Sequence, residues 1–410
     1  MSPAAAIAGD EHGHVRFIPL TYDNTDSRRS ALKLLLALMP QWAADEAYLD
    51  FVRFTDGITN TLLKAVNRRP GLSKAEIDRE AILLRAYGNG TDVLIDRERE
   101  AANHELLMRY KLAPELLARF ANGMMYRFIP GAVAQPKDLA DPEMLAAIAR
   151  RLAQWHATVP CLSDGPVKPD RAANGSGNVA RDDRTKVVNA APGKPFPNLW
   201  TTMQKWILAL PTDTEPQRQR RESLQREFEE LVPKLSQRPG LGKNGLVFAH
   251  CDLLSANVII HRAAGDAPTV SFIDYEYGTP SPVAFDLANH FAEWAGYDCD
   301  HSAVPTRSQR LAFVREYIKS YAKLSGETMD EEEETRKLMH EVDEFRGVPG
   351  FLWGIWSLIQ ATISHIAFDY ATYAEDRLSE YWAYKAEADG SREASGKEMP
   401  LREKTWARRD

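Results

Sequence analysis

Cysteine is scarce in this chain of 410 residues. The three present, Cys161, Cys251 and Cys299, are odd in number and far apart. They supply neither a disulfide framework nor a zinc pattern, which points to a reducing compartment. Cys299 and His301 stand close together, but no second pair completes a tetrahedral site. A long apolar run is also missing. The richest stretch, residues 351–366, contains Gln360, Ser364 and His365 and falls short of the roughly 18–20 residues of a membrane span. The opening MSPAAAIAGD has no basic region ahead of an apolar core, so it does not read as a signal peptide. A cytoplasmic protein without a membrane span is expected. Positive charge is not in excess: 51 Lys and Arg against 58 Asp and Glu give −7, which argues against a general nucleic-acid binder. Two phosphate-binding fingerprints, G-x4-G-K-[ST] and G-x-G-x-x-G, are absent.

What is present is a globular composition, 44% apolar, and enough length for two or three domains or one large two-lobed one. The most informative stretch is 248–277, FAHCDLLSANVIIHRAAGDAPTVSFIDYEY. It carries His250, Asp252, Asn257, Asp274 and Glu276. Residues 258–260 read as a strand, 262–268 as a turn-rich connection and 270–273 as the returning strand. Such a hairpin brings Asn257 and Asp274 to one end, where two oxygen ligands can share a Mg2+ that completes its shell with phosphate and water. Asp252, in the loop leading into the first strand, is placed to accept a proton from a substrate hydroxyl. The ordered set therefore suits metal-dependent phosphoryl transfer.

Upstream, residues 31–47 have helical spacing, with Pro40 a candidate interruption. Residues 48–66 read as two strands around a turn at 55–60. A small turn of this kind can lay backbone N–H groups over phosphate oxygens, although one glycine is a weak signal. Residues 80–87, EAILLRAY, form a buried strand whose single charge, Arg85, must lie at an edge or meet an anion. Residues 94–112 read as a helix with Asp96 a candidate N-cap, and either Glu98 or Glu100 is a candidate partner for Arg85. Residues 124–129 read as a strand closed by Pro130-Gly131. A helix over 142–159 is capped by Asp141. Residues 161–198 read as a long surface loop or disordered insertion. Helices follow over 199–210 and 215–235.

Downstream, Ser281-Pro282 reads as a cap and helix start for 283–294. Asp286, Asn289 or His290, and Glu293 share one face of that helix, predicted to face the site. Leu352, Ile355, Ile359, Ile363 and Ile366 form a helical stripe beside Trp353, Trp356 and Gln360, a pattern more often core than cofactor box. The charged tail after Tyr384, 386–410, reads as flexible.

Three motifs in order, HCDLLSAN, FIDYEY with FDLANHFAEWAG, and FLWGIWSLIQATISHIAFDYATYA, resemble the choline/ethanolamine kinases. The resemblance runs from residue 51 to residue 384. It implies an α+β, protein-kinase-like two-lobe fold, with a small β-rich N-terminal lobe over 1–127 and a large, mostly helical C-terminal lobe over 128–410. By resemblance Asp252 is the catalytic base, Asn257 and Asp274 hold Mg2+, and Glu276 lies near metal or substrate. ATP is expected on Gly57, Thr59 and Asn60 of the loop over 56–60, on Arg85, and on the hinge at Phe128 and Ile129. Glu293, Trp353, Trp356, Phe368 and Tyr373 match positions lining a cationic acceptor pocket, while His250 and Asp286 support the catalytic loop.

Within the family, the Asp252-Leu253-Leu254 form and the stretch YGNGTDVLIDRERE resemble ethanolamine kinases; choline kinases more typically carry Gln in place of Leu254. Cys251 departs from the usual Asn. The reaction so implied is ATP-dependent phosphorylation of ethanolamine, the first step of the CDP-ethanolamine route to phosphatidylethanolamine. Choline or dual specificity is the second reading, and a catalytically silent kinase-like scaffold the third. The resemblance allows a homodimer, for which no segment of the sequence supplies an interface.

Overall fold

A computed structural model describes residues 15–54, 60–88, 90–161, 181–242, 245–263, 265–364 and 366–409. The chain divides into two units, Met1–Thr91 with His104–Pro130, and Asp92–Asn103 with Gly131–Asp410. The change near 130 falls at Pro130-Gly131.

The first unit is organised by a sheet. Its strands are β1 (Arg16–Ile18), β2 (Leu49–Phe54), β3 (Asn60–Asn67), β4 (Ile82–Tyr87), β5 (Leu116–Phe120) and β6 (Gly123–Arg127), in the order β1-β5-β6-β4-β3-β2. Only β1 runs parallel to its neighbour. β5 alternates buried and half-buried residues, as a one-sided strand should. β4 is buried at every position but its last, Arg85 included. Arg85 stands in register with Leu62 and Met124. Gly123 is required beside it, because a Cβ there would lie 2.1 Å from the Arg85 carbonyl oxygen. Helix α1 (Ser27–Leu38) buries Leu34, Leu35 and Leu38 in the core that includes Leu63, Ile82 and Met125. As Pro40 suggests, the α-helix stops before it, and a 3-10 segment continues over Pro40–Tyr48. Helix α2 (Lys74–Glu80) opens with a Ser73/Glu76 capping box. Asp96 initiates α3 (Arg97–Arg109), accepting from the Arg99 N–H at 3.1 Å. The predicted turn residues Gly57 and Thr59 lie outside the described residues, and Asn60 begins β3.

The second unit takes the first part of α3, to Asn103, and continues with β7 (Ala132–Val133) and α4 (Pro142–Thr158), whose N-terminus Asp141 caps as expected, accepting from the Glu143 and Met144 N–H groups. It continues through α5 (Arg181–Val188), α6 (Leu199–Ala209), α7 (Glu215–Leu235), β8 (Val247–Ala249), β9 (Val258–His261), β10 (Thr269–Phe272), β11 (Thr279–Ser281) and α8 (Val283–Ala292). Its last helices are α9 (Arg307–Ser325), α10 (Glu331–Phe345), α11 (Val348–Ile363), α12 (Tyr370–Ala388), α13 (Ser391–Ala394) and α14 (Leu401–Ala407). Strands β9 and β10 pair antiparallel, with β7 on the other edge of β9. Trp155, fully buried on α4, packs against His250, Phe272 and Tyr275 and so seats this hairpin. α11 and α12 pack closely because Gly350 faces the α12 backbone; a Cβ there would lie 2.5 Å from the Arg377 carbonyl oxygen.

Several expectations need correction. Residues 162–180 of the expected loop lie outside the described residues, but its later part carries α5 and a buried Ala191. The strand expected over 124–129 ends at Arg127. Ser281 does not cap α8: it belongs to β11 and Pro282 takes the N-cap position. The apolar stripe of α11 stops at Ile363, before Ile366. Within the tail over 386–410, expected to be charged and solvated throughout, α14 is docked, with Arg402, Glu403, Thr405 and Trp406 buried, while residues 393–398 are exposed. Its charged composition is misleading because Arg402 is itself buried and paired with Glu403, and Trp406 lies under the Arg310 guanidinium of another helix at 3.7 Å.

Candidate active site

The site is built on the loop between β8 and β9. Its backbone is held from below by α8. Asp286, fully buried, accepts from the His250 N–H at 3.0 Å and the Cys251 N–H at 2.8 Å. It also takes the His156 Nε2 proton at 2.9 Å, and the far side of that ring meets the Tyr317 hydroxyl. Burial would push the Asp286 carboxyl up, but these partners outweigh it and hold the pKa below the usual range. Asn289 donates to the Cys251 carbonyl at 3.1 Å, and His290 Nδ1 donates to the Leu253 carbonyl at 2.8 Å. The polar stripe of α8 thus supports loop backbone instead of lining an open face. Cys251 takes a left-handed φ of +65°, uncommon outside glycine and asparagine.

His250 donates from Nε2 to the Ile273 carbonyl at 3.0 Å, tying the loop to the end of β10. The Ile273 N–H in turn reaches the Asn257 carbonyl at 3.0 Å, and Phe272 pairs with Val258. This hairpin sets Asn257 and Asp274 at the same end of adjacent strands. Asn257 gives its amide nitrogen to Asp252 twice, to the carbonyl at 2.8 Å and to Oδ2 at 3.2 Å, which leaves its Oδ1 as the outward acceptor. With the Asp274 carboxylate, itself on a backbone of φ +67°, it forms a hard-oxygen pair of the kind Mg2+ takes. Asp252 keeps part of its surface accessible yet sits deep among protein atoms. Its pKa is pushed well above the carboxylate range, first by burial and then by the charges of Asp274, Glu293 and Glu276. Glu276 is almost fully buried and is met by Arg97 Nη1 at 3.4 Å; the same nitrogen holds Glu100 at 2.9 Å.

An aromatic cluster follows on α11 and α12. The Trp353 indole donates to Asn289 Oδ1 at 2.8 Å, and the Trp356 indole donates to the Tyr277 hydroxyl at 2.8 Å. Tyr277, Trp353 and Trp356 meet edge to face. Phe368 contacts Tyr370, Tyr373 and Tyr297. Glu293, buried at the end of α8, faces Arg377 of α12, with Oε1 3.0 Å from Nη2.

The predicted residues of this unit therefore fall in two adjoining groups, Asp252, Asn257, Asp274 and Glu276 at the hairpin and Trp353, Trp356, Phe368, Tyr373 and Glu293 at the aromatic cluster, with His250 and Asp286 supporting the loop between β8 and β9. Arg85 and Phe128 belong to the other unit, where Phe128 donates its N–H to the Ala81 carbonyl and Lys64 lies over its ring at 3.6 Å. Ile129 follows in the same segment. Sequence reading missed His156, Asn289 as a bridge between loop and tryptophan, and above all Arg377. The last had a signal: it falls on the buried stripe Tyr370, Tyr373, Arg377, Tyr381, where an unpaired charge would be costly.

The model for the choline/ethanolamine kinase family matches residues 51–382. Ethanolamine kinase 1 of Homo sapiens is 34% identical over 371 residues, spanning 88% of this chain and 72% of that protein. The ethanolamine kinase of Drosophila melanogaster is 30% identical over 451 residues, spanning 91% and 80%. The solved structure of a Plasmodium vivax ethanolamine kinase aligns with a TM-score of 0.64 at 26% identity, over 87% of this chain and 89% of that one. A Cryptosporidium parvum choline kinase, 19% identical, aligns with a TM-score of 0.57 over 89% of this chain and 97% of that one, and supports the kinase-like fold. With the family model covering most of its length, this chain belongs to the choline/ethanolamine kinases.

Proposed function

We propose that this chain transfers the γ-phosphoryl group of ATP to the hydroxyl of ethanolamine. The observation that carries the reading is the convergence of Asp252, Asn257 and Asp274 at one hairpin end, next in the fold to a buried carboxylate among aromatic rings. Asp252 orients the acceptor hydroxyl and takes its proton as the oxygen attacks the γ-phosphorus, and the bond to the bridging β-oxygen breaks to release ADP. Asn257 Oδ1 and the Asp274 carboxylate would hold Mg2+, which neutralises phosphate charge when bound. Arg85 is assigned to the ATP phosphates, the loop over 56–60 with Gly57, Thr59 and Asn60 to covering them, and Phe128 and Ile129 to the adenine side; these assignments rest on the family motifs. Glu293 and the faces of Trp353, Trp356, Phe368 and Tyr373 take the ammonium group.

The relatives named ethanolamine kinases support ethanolamine as the acceptor. Choline remains a second reading because the aromatic cluster suits a methylated ammonium as well: a desolvated cation–π contact contributes about 2 kcal/mol with either amine. Steady-state kinetics with both amines decide between them. A higher kcat/KM for ethanolamine is expected, and a higher value for choline would reverse the assignment. Asp252→Asn should lower kcat by about 10²- to 10⁴-fold while ATP still binds. A near-normal rate would remove Asp252 from the role of base.

A further inference from the structure

The carboxylate that meets the acceptor amine is the first member of a buried ladder of alternating charge that ends in the C-terminal helix. Glu293 Oε1 stands 3.0 Å from Arg377 Nη2. Arg377 Nε stands 3.6 Å from Glu380 Oε2, and the same oxygen is 3.6 Å from Arg402 Nε of α14. The side chains of Arg377, Glu380 and Arg402 are almost wholly buried. α14 is fixed by Trp406, whose indole donates to Asp343 at 2.8 Å beneath the Arg310 guanidinium, so Arg402 enters the ladder from an anchored helix.

The middle of the ladder is loosely held. Among the described residues, the aligned hydrogen bond of Arg377 goes to the Tyr373 hydroxyl, at 3.3 Å; its approaches to Glu293 and Glu380 are close but poorly aligned. A guanidinium with two carboxylates and a full bond to neither is shared between them, and its balance follows whichever carboxylate is less neutralised elsewhere. Glu380 has other partners: the Arg402 guanidinium at 3.6 Å and the His301 Nε2 at 3.1 Å.

We propose that Arg402 and Glu380 are positioning residues for the acceptor amine: by setting how Arg377 is shared, they set how much negative charge Glu293 presents to the ammonium group. The inference rests on the reading of Glu293 as an acceptor-site carboxylate. It makes a prediction that simple structural support does not, namely opposite signs at neighbouring rungs. In Glu380→Gln, Arg377 settles on Glu293 and the KM for ethanolamine rises. In Arg402→Met, Arg377 is drawn to Glu380, Glu293 is bared, and the KM for ethanolamine falls.

The test is steady-state kinetics of the full chain with ethanolamine and with MgATP varied in turn. Shifts of about three- to tenfold in the ethanolamine KM are expected, upward for Glu380→Gln and downward for Arg402→Met, the size of one partly screened buried charge pair. The KM for MgATP should stay within about twofold, because the ladder carries no ATP contact. Arg402→Lys, which keeps the charge, should behave as the parent chain. A rise in ethanolamine KM for both variants, or no change in Glu380→Gln, overturns the proposal. Should Arg402→Met fail to fold, Arg402→Gln, which also removes the charge, supplies the downward arm. Glu293→Gln separates the two levels of argument: a large rise in its ethanolamine KM together with a silent Glu380→Gln sinks only the ladder. An unchanged KM in Glu293→Gln sinks the acceptor-site reading and the ladder with it.

Discussion

The amide of Asn289 joins two parts of the site that are distant in sequence: its oxygen takes the Trp353 indole proton at 2.8 Å, and its nitrogen gives to the Cys251 carbonyl at 3.1 Å. The loop that carries Asp252 and the ring that lines the aromatic cluster are therefore set by one side chain. Asn289→Leu strands a buried donor and a buried acceptor. It should cost about 2–4 kcal/mol of unfolding free energy, read by urea denaturation. The ethanolamine KM should rise as Trp353 loosens. Stability within about 0.5 kcal/mol of the parent would mean that the bridge is not an energetic link.

Asp286 leaves a larger gap. Two backbone N–H groups and the His156 ring converge on its carboxylate. Asp286→Asn substitutes an amide that cannot accept all three and turns a donor towards one of them. A loss of about 3–5 kcal/mol is expected. Turnover should fall about a hundredfold from displacement of Asp252, with ATP binding retained. Full activity in a stably folded variant would contradict the support role.

Removal of metal provides a separate check on the hairpin end. Chelation should abolish turnover, and Asp274→Asn should raise the Mg2+ concentration needed for half-maximal rate by at least about tenfold, since one anionic ligand becomes neutral. An unchanged Mg2+ requirement would move the metal away from Asp274.

Acid should weaken the fold through histidines that are buried neutral. His104 in the first unit and His250 and His290 in the second are each pushed down to about 4, chiefly by burial. The hydrogen bonds agree, since each ring donates one proton to a backbone carbonyl. The unfolded chain titrates near 6.5 and so binds protons more readily than the folded one between about 6.5 and 4. Stability is then full above that window and is lost as pH falls through it, by about 2 kcal/mol per histidine at pH 5. Urea unfolding at pH 7.5, 5.5 and 4.5 measures this. His290→Asn, whose amide can donate to the same carbonyl, should flatten part of the slope. A flat profile in the parent chain would mean that the rings are protonated in the folded state.

These predictions draw on features that differ in how far the sequence exposes them. Asp252, Asn257 and Asp274 are legible because their geometry is local: a five-residue spacing, a short strand and a return strand of matched register place them without knowledge of any other part of the fold. The aromatic stripe of α11 is legible for the same reason. His156 is not, because it reaches Asp286 across 130 residues of sequence and only the packing of α4 brings it there. Arg377 looks like one of many surface charges in its segment until Gly350 allows α11 to close over α12. α14 is misread for a related reason. Its one arginine, Arg402, is counted as solvated, whereas it is buried with Glu380 and Glu403 as partners.

The left-handed backbone at Cys251 has a use beyond the site it shapes. This thiol sits one residue before Asp252, is nearly inaccessible, lies 3.4 Å from the Ser281 hydroxyl, and has its ionisation suppressed by burial. Alkylating reagents need an exposed thiolate, so they can reach it only when the loop over Asp286 has opened. Its rate of covalent labelling, compared with the half-buried Cys161 and Cys299, is thus a built-in clock for how often the loop carrying Asp252 comes apart.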